Sequence, residues 1–228
     1  MFRKLIYIPG FTLFALLFIW HIWQTVYADI PRGGPLQISG QFLIISLLLG
    51  GSVWFWLDEK RSTSSSIPLP GEFRIWAWAI IALLTIQIIW GGITSGLHGG
   101  HVYNTFPTMN RNWIPPELFI MEPFYINFID NAATAQWIHR LFGTLLSFMV
   151  IILWIRSFMV TTSFTTKKWI LGLFSLILLQ YATGVFALIY HVPVPIGLLH
   201  QILTVALVGL AVGFLKQTNP SANKQSIT

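Results

Sequence analysis

The chain contains no cysteine, so disulfides, thiolate metal sites and cysteine nucleophiles are excluded. It is also short of charge. Asp, Glu, Lys and Arg together make up 9% of its 228 residues, where a soluble domain carries about 25%. Only seven residues are acidic, and none falls inside a long apolar run except at its ends. Scarcity on that scale excludes a soluble globule, a disordered chain and a nucleic-acid-binding domain. The formal net charge of +6 must therefore be read by its position relative to a bilayer.

What the chain has instead is apolar length. About 20 mostly apolar residues in a helix cross the hydrocarbon core. Six stretches satisfy this, approximately Leu5–Tyr27, Ile38–Leu57, Ile75–Ser95, Thr134–Ile155, Trp169–Tyr190 and Ile196–Leu215. They predict an all-α integral membrane protein with six transmembrane helices. The first run is too long for a signal peptide and lacks a small-residue cleavage site, which predicts a retained helix.

Basic residues set the orientation. With the N-terminus inside, the inner side holds Arg3, Lys4, Lys60, Arg61, Arg74, Arg156, Lys167, Lys168, Lys216 and Lys224, and the outer side only Arg32, Arg111 and Arg140. That asymmetry predicts a cytoplasmic-membrane protein with both termini in the cytoplasm. Trp23, Trp54, Trp56, Trp76, Trp137 and Trp169 fall near span ends, as interface-anchoring aromatics do.

Two connections differ from the rest. The Ser/Pro-rich stretch RSTSSSIPLPGEF predicts a cytoplasmic linker at 61–73. It divides a two-helix N-terminal unit (1–60) from a four-helix bundle (74–215) with a cytoplasmic tail (216–228). The outer segment Leu97–Ala133 is the longest loop, and loops of that length are functional or disordered. Its aromatics between Phe119 and Phe128 predict packing on the membrane surface or capping of a cavity.

An ionisable side chain within a span is costly and marks a functional hypothesis. His139 and His200 each lie about one turn inside their spans, and both spans enter from the outside, so the two imidazoles sit at matching depth. Facing histidines in a helical bundle are the arrangement for bis-histidine haem ligation. Gln136, His139, Arg140 and Gly143 follow i, i+3, i+4, i+7 and share one helix face. Gln136 is assigned to orienting the histidine and Arg140 to a haem propionate. Gln87, Trp90, Gly91, Thr94 and His98 on the third span, and Gln180, Thr183, Gly184 and Ala187 on the fifth, show the same spacing. The competing reading is that small-residue faces are helix-packing surfaces and that a membrane histidine is a structural hydrogen-bonder. His191 reads as an exposed loop residue, and His98 and His101 as loop residues or a surface metal site. His21 has Gln41 as a candidate partner.

Three stretches carry a resemblance: GGITSGLHGGHVYNTFPTMNRNWIPP, NFIDNAATAQWIHRLFG and LLQYATGVFALIYHVPVPIGLLHQ. In this order they are similar to the C-terminal half of the heme A synthase family of cytochrome oxidase assembly proteins. The resemblance implies a haem b held between His139 and His200. It also implies haem O as substrate, whose C8 methyl group is oxidised to a formyl group. The family's N-terminal half contributes two further histidines and a carboxylate. Here WQTVYADIPRGGPLQISGQFL is a weak counterpart, with Gln41 at a histidine position, so no catalytic residue is assigned. Two functions follow: a synthase-like oxidoreductase whose missing half is a separate chain, a partner protomer or an upstream region, or a non-catalytic haem b protein for electron transfer or oxidase assembly. The electron donor is not specified by the sequence.

Overall fold

A computed structural model describes residues 4–27, 34–60 and 70–218. The tail beyond 218 and the linker residues 61–69 lie outside the described residues, as do Arg3, Arg32 and Lys224. Six long helices make up the fold: α1 (Lys4–Ile22), α2 (Pro35–Lys60), α3 (Gly71–Gly96), α4 (Ala132–Arg156), α5 (Phe164–Ile189) and α6 (Val194–Gln217). All six are long and apolar enough to cross a membrane, so the all-α integral membrane architecture holds. Most helices overrun the apolar stretches at one or both ends, because capping and interfacial residues extend a helix past its hydrocarbon segment.

Local chemistry explains the helix ends. Asn131 starts α4 by accepting from the backbone N–H of Ala133 and Thr134 at 3.0 and 3.1 Å. Ser163 starts α5 by accepting from the Thr166 N–H at 3.2 Å. Pro195 lies in the first turn of α6, where its missing N–H costs nothing. A π-helical turn, Trp23–Tyr27, extends α1.

Helices α3, α4, α5 and α6 pack in a ring, and α2 lies in the groove between α3 and α6 with α1 outside it. Within a bilayer, helices associate through close packing rather than water exclusion. Accordingly Gly92 and Gly96 on α3 bring the backbone of α2 into contact at Ser39 and Pro35. Ser39 Oγ seals this seam by donating to the Ile89 carbonyl at 2.9 Å. At the opposite end, Lys216 of α6 is buried, pairs with Asp58 of α2, and lies 3.8 Å from the Trp54 ring centre.

The ring has two tiers. The tier nearest the Lys216 end is a dry core of Phe73, Ile80, Val150, Leu153, Ile170, Leu173 and Phe214, all fully buried. The tier beneath the long 97–131 loop is hollow. That loop folds over it: Asn104 Nδ2 donates to the Leu188 carbonyl at 2.7 Å, and Trp137 Nε1 to the Trp113 carbonyl at 2.9 Å. Asn127, with no exposed surface, holds the Met121 backbone on both sides at 2.8 and 2.9 Å. The Phe119, Phe124 and Phe128 rings cluster at 5.6–5.7 Å. The loop is a folded cap.

Candidate functional site

Under the cap lies a cavity of about 420 Å³ lined by all four ring helices, with His21, Thr25, Ile38 and Phe42 closing one flank. That volume suits a small-molecule or cofactor site. His139 from α4 and His200 from α6 both line it, their ring centres 6.4 Å apart and their planes at 73°. Two imidazoles clasping one metal with bonds of about 2 Å place their ring centres roughly 6 Å apart. The observed separation fits a shared iron.

Each imidazole is seated against a glycine on the neighbouring helix. A Cβ on Gly91 of α3 would stand 3.1 Å from His139 Cε1, and one on Gly184 of α5 would stand 3.0 Å from His200 Cε1. At both positions an added side chain would crowd the facing ring. A glutamine lies one turn below each glycine. Gln87 Nε2 donates to the His139 carbonyl at 2.9 Å. Gln180 Nε2 lies 3.1 Å from His200 Nε2 and donates to Thr204 Oγ1 at 2.7 Å. Thr183 Oγ1 lies 3.2 Å from His200 Nδ1 and donates to the Gln180 carbonyl at 3.0 Å.

The remaining predicted site residues face the cap. Gln136 Nε2 donates to the Tyr103 carbonyl at 3.0 Å, so its amide holds the loop rather than the His139 ring. Arg140 donates to the Tyr103 and Thr105 carbonyls at 2.8 and 3.0 Å, and no carboxylate among the described residues pairs with it. Both side chains still line the cavity. Buried polar atoms without a partner concentrate around the same space: His139 Nδ1, Arg140 Nε, Gln87 Oε1, Gln136 Oε1, Gln180 Oε1 and His21 Nδ1. Orphaned polar atoms ringing one cavity mark a site built for a polar-edged occupant or ordered water.

His98 and His101 stand exposed at the cavity mouth, His101 in a short 3₁₀ turn. No cluster of three or more metal-ligating side chains occurs among the described residues. His191 is exposed. His21 is buried and stacked on Phe42 with ring centres 4.8 Å apart; its Nδ1 and the Oε1 of its expected partner Gln41 are both without a hydrogen bond. Sequence reading did not find the Thr144–Tyr181 hydroxyl pair at 3.0 Å, or the Gln201–Thr25 contact at 3.2 Å that ties α6 to the π-helical turn. Their only signal was polarity within an apolar span.

In the cap itself, Tyr103 donates its hydroxyl proton to Glu117. Burial, then that carboxylate, push the Tyr103 pKa up to about 12.

Fold and site together define a polytopic membrane bundle with a capped, paired-histidine cavity. The COX15-CtaA model, cytochrome oxidase assembly protein, matches residues 14–212, and the chain belongs to this family. Among its relatives, the heme A synthase of Methylobacterium radiotolerans is 35% identical over 195 residues, 83% of this chain and 52% of the relative. That of Nitrosomonas eutropha is 34% identical over 185 residues, 80% of this chain and 52% of the relative. That of Neorickettsia sennetsu is 29% identical over 197 residues, 86% and 58% of the two chains. The chain thus spans about half the length of the curated relatives it matches.

Proposed function

We propose that this protein serves haem A biosynthesis and cytochrome oxidase assembly as a heme A synthase-like membrane oxidoreductase. Its substrate is haem O, oxidised at the C8 methyl group to a formyl group. It works alone or with an N-terminal half supplied by another chain or another copy. The observation that carries this reading is the pair of imidazoles 6.4 Å apart, each seated on a glycine, in a capped cavity. The synthase names of the relatives favour it over a non-catalytic haem b protein.

His139 and His200 would hold the iron of a haem b, which when bound supplies one-electron transfer at a potential tuned by its axial ligands and burial. The chain's own residues prepare the space. Gly91 and Gly184 admit the imidazoles by lacking side chains. Arg140, which pairs with no carboxylate among the described residues, would receive a propionate, while two of its nitrogens hold the cap. Gln136 secures the same stretch of cap over the cavity. We assign no residue to the chemistry on haem O.

The orientation with both termini in the cytoplasm and the cap outside rests on the lysine and arginine asymmetry. The division into a two-helix unit and a four-helix bundle rests on the composition of the 61–73 segment, of which Gly71–Phe73 belong to the first turn of α3 and not to a linker.

Expression in a cell lacking its own synthase, with and without neighbouring genes, tests the function. Restored haem A supports it, and persistent haem O in both settings refutes it. Pyridine haemochrome analysis of the purified chain tests the site: a b-type haem lost in both His139→Ala and His200→Ala is expected.

A further inference from the structure

The two imidazoles are not equivalent. His139 Nδ1 is buried without a partner, whereas both ring nitrogens of His200 are engaged by one face of α5. Thr183 has a single hydroxyl hydrogen, and the Gln180 carbonyl 3.0 Å away is positioned to take it. With that hydrogen on the carbonyl, the Thr183 oxygen accepts toward His200 Nδ1, the arrangement in which Nδ1 carries the proton. The contacts at the other nitrogen suit the same tautomer. With the amide so oriented, Gln180 Nε2 donates to Thr204 Oγ1 and lies 3.1 Å from His200 Nε2. An amide donor at Nε2 requires a bare lone pair there. Thr204 closes the network by donating to the His200 carbonyl at 2.9 Å.

We propose that Thr183 and Gln180 are positioning residues that fix His200 as its Nδ1–H tautomer, presenting the Nε2 lone pair to iron, and that Thr183 thereby sets the iron's reduction potential. This rests on the haem reading above. An imidazole that donates its second N–H to an acceptor becomes a stronger electron donor through the first. Stronger donation stabilises ferric over ferrous iron and lowers the potential. The two α5 residues have distinct parts. Thr183 fixes the proton, and Gln180 holds the bare nitrogen until a metal replaces its N–H. Haem entry must therefore displace the Gln180 contact but leaves the Thr183 contact in place.

Redox titration of the haem-loaded chain in detergent tests the assignment. Thr183→Val, close to Thr in shape, removes the acceptor and is expected to raise the midpoint potential while the low-spin bis-imidazole bands persist. Thr183→Ser, which keeps the oxygen, is expected to return the potential to that of the unaltered chain. A purely structural role would not follow the hydroxyl in this way. A second variant does not depend on Thr183. Gln180→Leu frees the Nε2 lone pair, and in titration of haem-free protein with haemin it is expected to lower the half-saturating concentration roughly two- to tenfold, the equivalent of one ordinary hydrogen bond. An unshifted potential in Thr183→Val with intact bands overturns the assignment and leaves the haem site standing, as does unchanged or weaker haemin uptake by Gln180→Leu. An unaltered chain that takes up no haem overturns both.

Discussion

Adding one methyl group at Gly184 separates two opposed effects. A Cβ there would lie 3.0 Å from His200 Cε1, where ordinary contact begins at 3.4 Å, so the ring must retreat by about 0.4 Å (3.4 − 3.0). Retreat stretches the Thr183 and Gln180 contacts, which come from the same helix α5. Overpacking of this kind costs about 1–3 kcal/mol. Against it, replacing a mid-helix glycine by alanine gains about 0.8–1.0 kcal/mol of helix propensity. The haem-free protein should therefore lose little stability, because the helix gain offsets much of the crowding. Haem binding has no such offset, since it needs the ring where it now stands. The full penalty of about 1–3 kcal/mol then falls on the axial ligand and corresponds to roughly a five- to 150-fold loss of affinity. The assay is haem content per protein by pyridine haemochrome on detergent-purified Gly184→Ala, with the thermal unfolding midpoint of the same sample. Gly51→Ala, where nothing lies within 4 Å of the added carbon, is the control and should keep full haem content. Full occupancy and unchanged low-spin bands in Gly184→Ala would refute the glycine-seat reasoning.

Other expectations concern the cap and the seam. Arg140→Gln removes charge-assisted hydrogen bonds to the Tyr103 and Thr105 carbonyls, each worth about 1.5–3 kcal/mol, and should expose the 103–113 stretch to limited proteolysis. Tyr103 is protonated in the folded cap up to about pH 12 but ionises near pH 10 when released, so its contribution is complete below about 10 and is lost as pH rises toward 12. Cap loosening followed by proteolysis should show that window, and Tyr103→Phe should remove it. Lys216→Met removes the buried ammonium that pairs with the partly exposed Asp58 and should lower the unfolding midpoint in detergent.

The membrane fold was legible because span length and apolar composition answer to one physical constraint, the thickness of hydrocarbon. The paired histidines were legible for a related reason: an imidazole in an apolar run stands out, and its depth can be counted in turns. The partners of Gln136 and Arg140 were not. Helical spacing puts them on the face of His139, but what they bind depends on where the 97–131 loop returns, and no periodicity records the path of a loop. Nor could spacing reveal that Thr183 touches His200 Nδ1, since this contact joins α5 and α6 across 17 residues and depends on side-chain rotamers. Gly91 and Gly184 read equally well as packing glycines. Only the facing ring distinguishes a seat for an imidazole from the Gly92 and Gly96 seam one residue away.

The flank made by His21, Ile38 and Phe42 gives the hollow tier two unlike neighbours. Above it is a polar lid threaded with carbonyls, and to one side an α1–α2 hairpin whose outer surface meets hydrocarbon. The space is therefore two-faced: Arg140 and Gln136 line it under the lid, while Leu146 and Leu207 line it where it meets the dry tier.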